Sequence, residues 1–133
     1  MRILIVDDML PMRAFMKATV KSSVSKDLET DEAANAEAAK TKLQVQHYDL
    51  VLCDWNMPGM KGSELLQWMR SEERLRQVPF IMVTAHNDKE IIMEAIKAGV
   101  NDFVLKPITA EVLSRKIIAA LRLSAPGKEE KGA

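Results

Sequence analysis

One cysteine in 133 residues, Cys53, leaves no partner for an intramolecular disulfide and no ligand set for a thiolate zinc site. A single thiol also fits a reducing, cytoplasmic setting. Aromatic residues are scarce, at two Trp, one Tyr and three Phe, so any core must rest on aliphatic side chains and the nine Met. Net charge is absent: 19 Lys and Arg stand against 19 Asp and Glu. That balance lacks the basic footprint of a nucleic-acid binder. No apolar run approaches the roughly 20 residues that membrane insertion needs. A signal peptide is excluded too, since Ile3–Val6 is too short an apolar core and ends on two acids, Asp7 and Asp8. A chain of 133 residues fits one compact domain.

Four short apolar runs are present: Ile3–Val6, Leu50–Cys53, Phe80–Val83 and Phe103–Leu105. None alternates with polar residues, which predicts strands buried on both faces of a parallel sheet. Asp27–Glu32 is expected as a fifth, polar edge strand. Helical patterns fill the gaps. Pro11 suits a first helical turn, followed by Met12, Phe15, Met16, Thr19 and Val20 at helical spacing. Asn35, Asp88 and Thr109 are placed to cap Ala36–Val45, Lys89–Ala98 and Ala110–Leu123. Ser63–Arg70 carries Leu65, Leu66 and Met69, and Gly99 falls where a left-handed C-terminal residue belongs. Strand and helix alternate five times, which implies right-handed crossovers and a three-layer, doubly wound α/β domain. The domain is expected over residues 1–123. Residues 124–133, with Pro126, Gly127 and four charges, are expected to be a disordered polar tail.

Ligands of an open parallel sheet bind outside the carboxyl ends of the strands. Asp7 and Asp8 end the first strand, Asp54 the third, Thr84 the fourth and Lys106 the fifth. Three carboxylates on one rim repel each other, and one Lys cannot neutralise them. A hard divalent cation can: Mg²⁺ takes oxygen ligands and completes its shell with water and phosphate. A carboxylate can also act as nucleophile and become an aspartyl phosphate, with Lys106 and Thr84 holding the phosphoryl oxygens.

These residues resemble the receiver domain of response regulators, closest to the single-domain chemotaxis regulators of the CheY type. The resemblance covers about residues 1–123. It rests on Asp7-Asp8, on the stretch from Asp54 to Gly62, on Thr84-Ala85 and on Lys106-Pro107, in that order. It implies a five-stranded, flavodoxin-like sheet of order 2-1-3-4-5. It further implies Asp54 as phosphoacceptor and Asp8 and Asp54 as direct Mg²⁺ carboxylates. Asn56 would supply a backbone carbonyl, and Asp7 would act through water. Thr84 matches a switch hydroxyl, Lys106 a phosphate-binding lysine, and Phe103 a switch aromatic without the hydroxyl of the usual Tyr. The Lys106–Pro107 bond matches one that is usually cis. The implied output face is the fourth helix, fifth strand and fifth helix, with Lys89, Ile92, Ile96, Phe103, Leu105 and Lys116. The implied partners are a sensor histidine kinase as phosphoryl donor, a downstream protein such as a flagellar switch component, and a phosphatase. The resulting expectation is a phosphorylation switch, not an enzyme, in chemotaxis or as a stand-alone receiver or docking module in another pathway.

Other readings fit less well. An aspartate-nucleophile phosphatase needs an acid two residues after the nucleophile, where Asn56 stands. A nucleotide or flavin site needs a Gly-rich first turn, whereas Asp8-Met9-Leu10-Pro11 has no Gly and starts on an acid. Cys53 reads as a small buried hydrophobe, and His47 and His86 as lone surface histidines. Leu113, Ile117 and Leu121 form one stripe expected against the sheet. Val112 and Ile118 fall outside it.

Overall fold

The computed structural model describes residues 1–85 and 87–122. The expected tail at 124–133, Leu123 and His86 lie outside the described residues. Five strands run β1 (Arg2–Val6), β2 (Glu29–Ala33), β3 (Leu50–Asp54), β4 (Phe80–Thr84) and β5 (Asp102–Leu105). They alternate with α1 (Leu10–Thr19), α2 (Ala36–Val45), α3 (Gly62–Ser71), α4 (Lys89–Ala98) and α5 (Ala110–Leu121). All pairings are parallel, in the order β2-β1-β3-β4-β5.

The three central strands are three of the four apolar runs, and their burial explains why they do not alternate; the fourth run, on β5, lies at the sheet edge and is only partly buried, with Leu105 39% exposed. On β1, Ile3 and Ile5 pack with Met16, Leu113, Ile117 and Leu121 of α1 and α5. Leu4 and Val6, of opposite pleat, pack with Ala39, Leu43, Leu65 and Leu66 of α2 and α3. The same division runs through β3 and β4. The α5 stripe therefore faces the sheet as its spacing predicts.

The edge strand differs from expectation. β2 begins at Glu29, two residues later than Asp27, because Leu28 is buried and the Asp27 amide turns back to the Ser25 hydroxyl. Sequence polarity marked an edge strand but carried no register. Between α1 and β2 lies a five-residue π-helical segment, Val20–Val24, that helical spacing did not separate from α1. Caps follow the side chains: Asn35, Asp88 and Thr109 accept from Ala38, Glu90 and Val112 amides. Gly99 ends α4 at φ +109°, as its position predicts.

Gly62 starts α3 hard against the end of β3. A Cβ there would lie 2.9 Å from the Asp54 carbonyl oxygen and 3.1 Å from Trp55 Cα. These are main-chain atoms of a buried strand end, so the helix must recede to admit a methyl. Gly62→Ala should cost about 1–3 kcal/mol, as overpacking does. Urea unfolding checks it, and an unchanged midpoint would show that α3 has room to shift.

Candidate functional site

The sheet brings the strand-end residues to one rim. Val6 pairs with Cys53, so Asp7 and Asp54 follow one another off adjacent strands. Asp54 pairs with Val83, and the Lys106 amide donates to the Thr84 carbonyl at 2.8 Å. Pleat then sorts the side chains. Asp7, Asp54 and Lys106 continue the set that includes Ile5, Leu52 and Val104, on the α1 and α5 side. Thr84 continues the set of Phe80 and Met82, on the side of Phe103. Asp8 reaches the rim only because β1 has ended at Val6.

Carboxylate oxygens of Asp7, Asp8 and Asp54 lie within 4.8 Å of one another. Asp7 is fully buried, Asp54 is 4% exposed and Asp8 is open to solvent. The Lys106 ammonium sits 3.5 Å from Asp54 Oδ1 and 3.8 Å from Asp7 Oδ2. Asp7 Oδ1 accepts from the Met9 amide at 2.8 Å, whereas Oδ2 is buried with no hydrogen bond. Burial raises the pKa of Asp7; the Met9 amide and Lys106 oppose it and the Asp8 charge adds to it. Burial also raises that of Asp54, opposed by Lys106 and reinforced by Asp7. One ammonium therefore leaves the cluster under-neutralised. An orphaned buried carboxylate oxygen beside two further hard oxygen donors fits a divalent cation such as Mg²⁺. The Asn56 amide donates to Asp54 Oδ1 at 3.4 Å, which keeps the loop after β3 beside the cluster. Cys53, fully buried with its thiol pKa pushed well up by burial, is a packing residue. The Lys106–Pro107 bond is cis, as the resemblance implies.

The response regulator receiver domain, as a family pattern, matches residues 3–118. The chain belongs to that family. It is 44% identical over 120 residues to the chemotaxis protein CheY of Pseudomonas aeruginosa, covering 88% of this chain and 93% of that one. It is 38% identical over 122 residues to the chemotaxis protein CheY1 of Helicobacter pylori, covering 91% and 97%. The solved chemotaxis response regulator CheY4 of Vibrio cholerae superposes with a TM-score of 0.83 at 27% identity, covering 90% of this chain and 98% of that one. The molecule is thus a receiver domain of a two-component response regulator, a signalling switch rather than an enzyme of the usual kind. Among the described residues, no helix is long and apolar enough to cross a membrane.

In this receiver domain the residues expected on the output face differ in exposure. Ile96 is 55% and Leu105 39% exposed, and Lys89 is exposed. Phe103 is half-buried, with the Lys116 ammonium 5.0 Å above its ring and 2.7 Å from Asp102. Ile92 is half-buried and packs against the same core cluster as Phe103, while Met93 beside it is 50% exposed. On α4 the sheet-facing position is Ala95, and Ile92 lies one turn before it. Val112 likewise packs against the core on the α1 and α5 side. Sequence reasoning also passed over Arg13, whose guanidinium donates to the Asp7 carbonyl at 2.7 Å. Its position one turn into α1 gave no hint of a main-chain partner on β1.

Proposed function

We propose that this receiver domain is switched by phosphorylation of Asp54 and acts in bacterial-type chemotaxis in the cytoplasm. The observation that carries the reading is the cluster of Asp7, Asp8 and Asp54 against Lys106, with one buried carboxylate oxygen, Asp7 Oδ2, left without a hydrogen bond. A carboxylate oxygen of Asp54 attacks the phosphorus of a phosphohistidine on a sensor kinase. The new O–P bond replaces the N–P bond, and the leaving imidazole regains neutrality by taking up a proton from solvent. Asp8 and Asp54, with the Asn56 carbonyl, would hold Mg²⁺ directly and Asp7 through water; the ion supplies positive charge for the phosphoryl oxygens. Lys106 pairs with the acyl phosphate, and the Thr84 hydroxyl follows a phosphoryl oxygen.

Output runs through α4, β5 and α5. The exposed Met93, Ile96 and Leu105 with Lys89 and Lys116 offer a mixed apolar and basic surface to a partner. Relatives named as chemotaxis proteins support the chemotaxis reading; the partner proposed with it is a flagellar switch component, with a phosphatase to end the signal. Intact-mass measurement after incubation with acetyl phosphate tests the reading. One phosphoryl group should be gained with Mg²⁺ and none with a chelator. Labelling that ignores Mg²⁺ would overturn the role of the acid cluster.

A further inference from the structure

The acid cluster stands on a short stretch of main chain whose two polar groups are both tied down. The Asp7 amide donates to the Ala33 carbonyl of β2 at 3.1 Å. The Asp7 carbonyl accepts from Arg13 Nη1 at 2.7 Å. Arg13 is itself aimed from behind: Nε donates to Glu32 Oε1 at 2.9 Å, and its side chain is 14% exposed. Lys17, one turn further along α1, faces the other Glu32 oxygen at 3.8 Å. The guanidinium therefore bridges α1, the edge strand and the peptide joining Asp7 to Asp8.

That peptide sets the place of the Asp8 Cα and the direction in which its side chain leaves the main chain. The Asp8 carboxylate is exposed and, among the described residues, takes part in no hydrogen bond of its own. Its carboxylate lies within 4.8 Å of those of Asp7 and Asp54 through the placement of its main chain and its own rotamer. A planar fork can hold a carboxylate and a carbonyl at fixed angles, which a lysine ammonium cannot do.

We infer that Arg13 is a positioning residue for the acid cluster: aimed by Glu32, it fixes the Asp7–Asp8 peptide so that the Asp8 carboxylate stays turned toward Asp54 for a divalent cation. The inference rests on the reading of the cluster as a Mg²⁺ site. It competes with a plainer role, in which Arg13 merely adds positive charge. The two roles have opposite signs. As a charge, Arg13 repels Mg²⁺, so its removal would tighten binding. As a positioning group, its loss frees the peptide and weakens binding, on the order of 10-fold or more, as for outer-shell partners of metal ligands.

Titrating Mg²⁺ against the emission of Trp55 separates them, with Trp68 as constant background. Arg13→Ala and Arg13→Lys should each bind about 10-fold more weakly than wild type. Glu32→Gln should shift binding the same way by less, since its amide oxygen still accepts from Nε. Thermal melts without Mg²⁺ establish that each variant is folded at the titration temperature, and Arg13→Lys keeps the charge should Arg13→Ala unfold. Unchanged or tighter binding by folded Arg13→Lys overturns the inference and leaves the Mg²⁺ site standing. A wild-type protein that does not respond to Mg²⁺ overturns the site itself, and the role of Arg13 with it.

Discussion

Asp54→Asn should take up no phosphoryl group under conditions that label the wild-type protein to one per chain. The side chain keeps its shape and its burial at the end of β3. An amide oxygen is a far weaker nucleophile than a carboxylate oxygen, and the Lys106 ammonium at 3.5 Å loses its ion pair. Among the described residues, Asp7 and Asp8 are the other carboxylates of the cluster. Asp7 is fully buried, with one oxygen held by the Met9 amide, and is poorly placed to attack. Intact mass with and without acetyl phosphate checks the result, and undiminished labelling of the variant would move the acceptor elsewhere.

Asp8→Asn should raise the melting temperature of the metal-free protein and abolish its response to Mg²⁺. Without a cation, three carboxylates share one ammonium, and the Asp8 charge is among the causes that raise the pKa of Asp7. Removing it relieves that repulsion. In the wild type, Mg²⁺ binds the native state alone, because an unfolded chain cannot gather residues 7, 8 and 54. At ten times the dissociation constant the gain is about 1.4 kcal/mol, or roughly 3–5 °C for a domain of this size. The pH dependence has a definite sign. Burial raises the folded pKa of Asp7 and Asp54 above the ordinary 3.8, so the folded protein holds protons that the unfolded chain has released. Metal-free stability from these two groups is therefore full below that value and declines as pH rises through the folded values. Melting curves at several pH values, with and without Mg²⁺, measure both effects. A melting temperature indifferent to Mg²⁺ in the wild type would count against the site.

The central sheet and the rim were legible in sequence for one physical reason. A strand covered on both faces has no polar side to show, so β1, β3 and β4 stand out as unbroken apolar runs. Charged or hydroxyl residues directly after such runs mark the carboxyl edge. Asp7, Asp8, Asp54, Thr84 and Lys106 all fall there. β2 was less legible because its side chains are polar and half-exposed, and its start moved by two residues. On α4 the apolar spacing alone did not single out Ala95 as the buried position, because Ile91, Ile92, Met93 and Ile96 are all apolar and only packing on the sheet sorts them. Arg13 and Arg70 were not legible at all. Arg70 spends its guanidinium on the carbonyls of Leu75, Val78 and Gly99 and the side chain of Asn101. Carbonyls carry no sequence signature, so an arginine that binds them reads as an ordinary surface charge.

The central claim is that a charge change at Asp54 reaches the α4 and β5 surface through Thr84. The Lys106 amide already ties the end of β5 to the Thr84 carbonyl, and Thr84 shares its side of the sheet with Phe103. Amide hydrogen exchange across α4 and β5, with and without beryllofluoride as phosphoryl mimic, tests this most directly when wild type is compared with Thr84→Ala. The account predicts a clear change over Lys89–Ala98 and Asp102–Leu105 in the wild type. It predicts that Thr84→Ala still binds the mimic but loses most of that change. A full wild-type response in Thr84→Ala would contradict it.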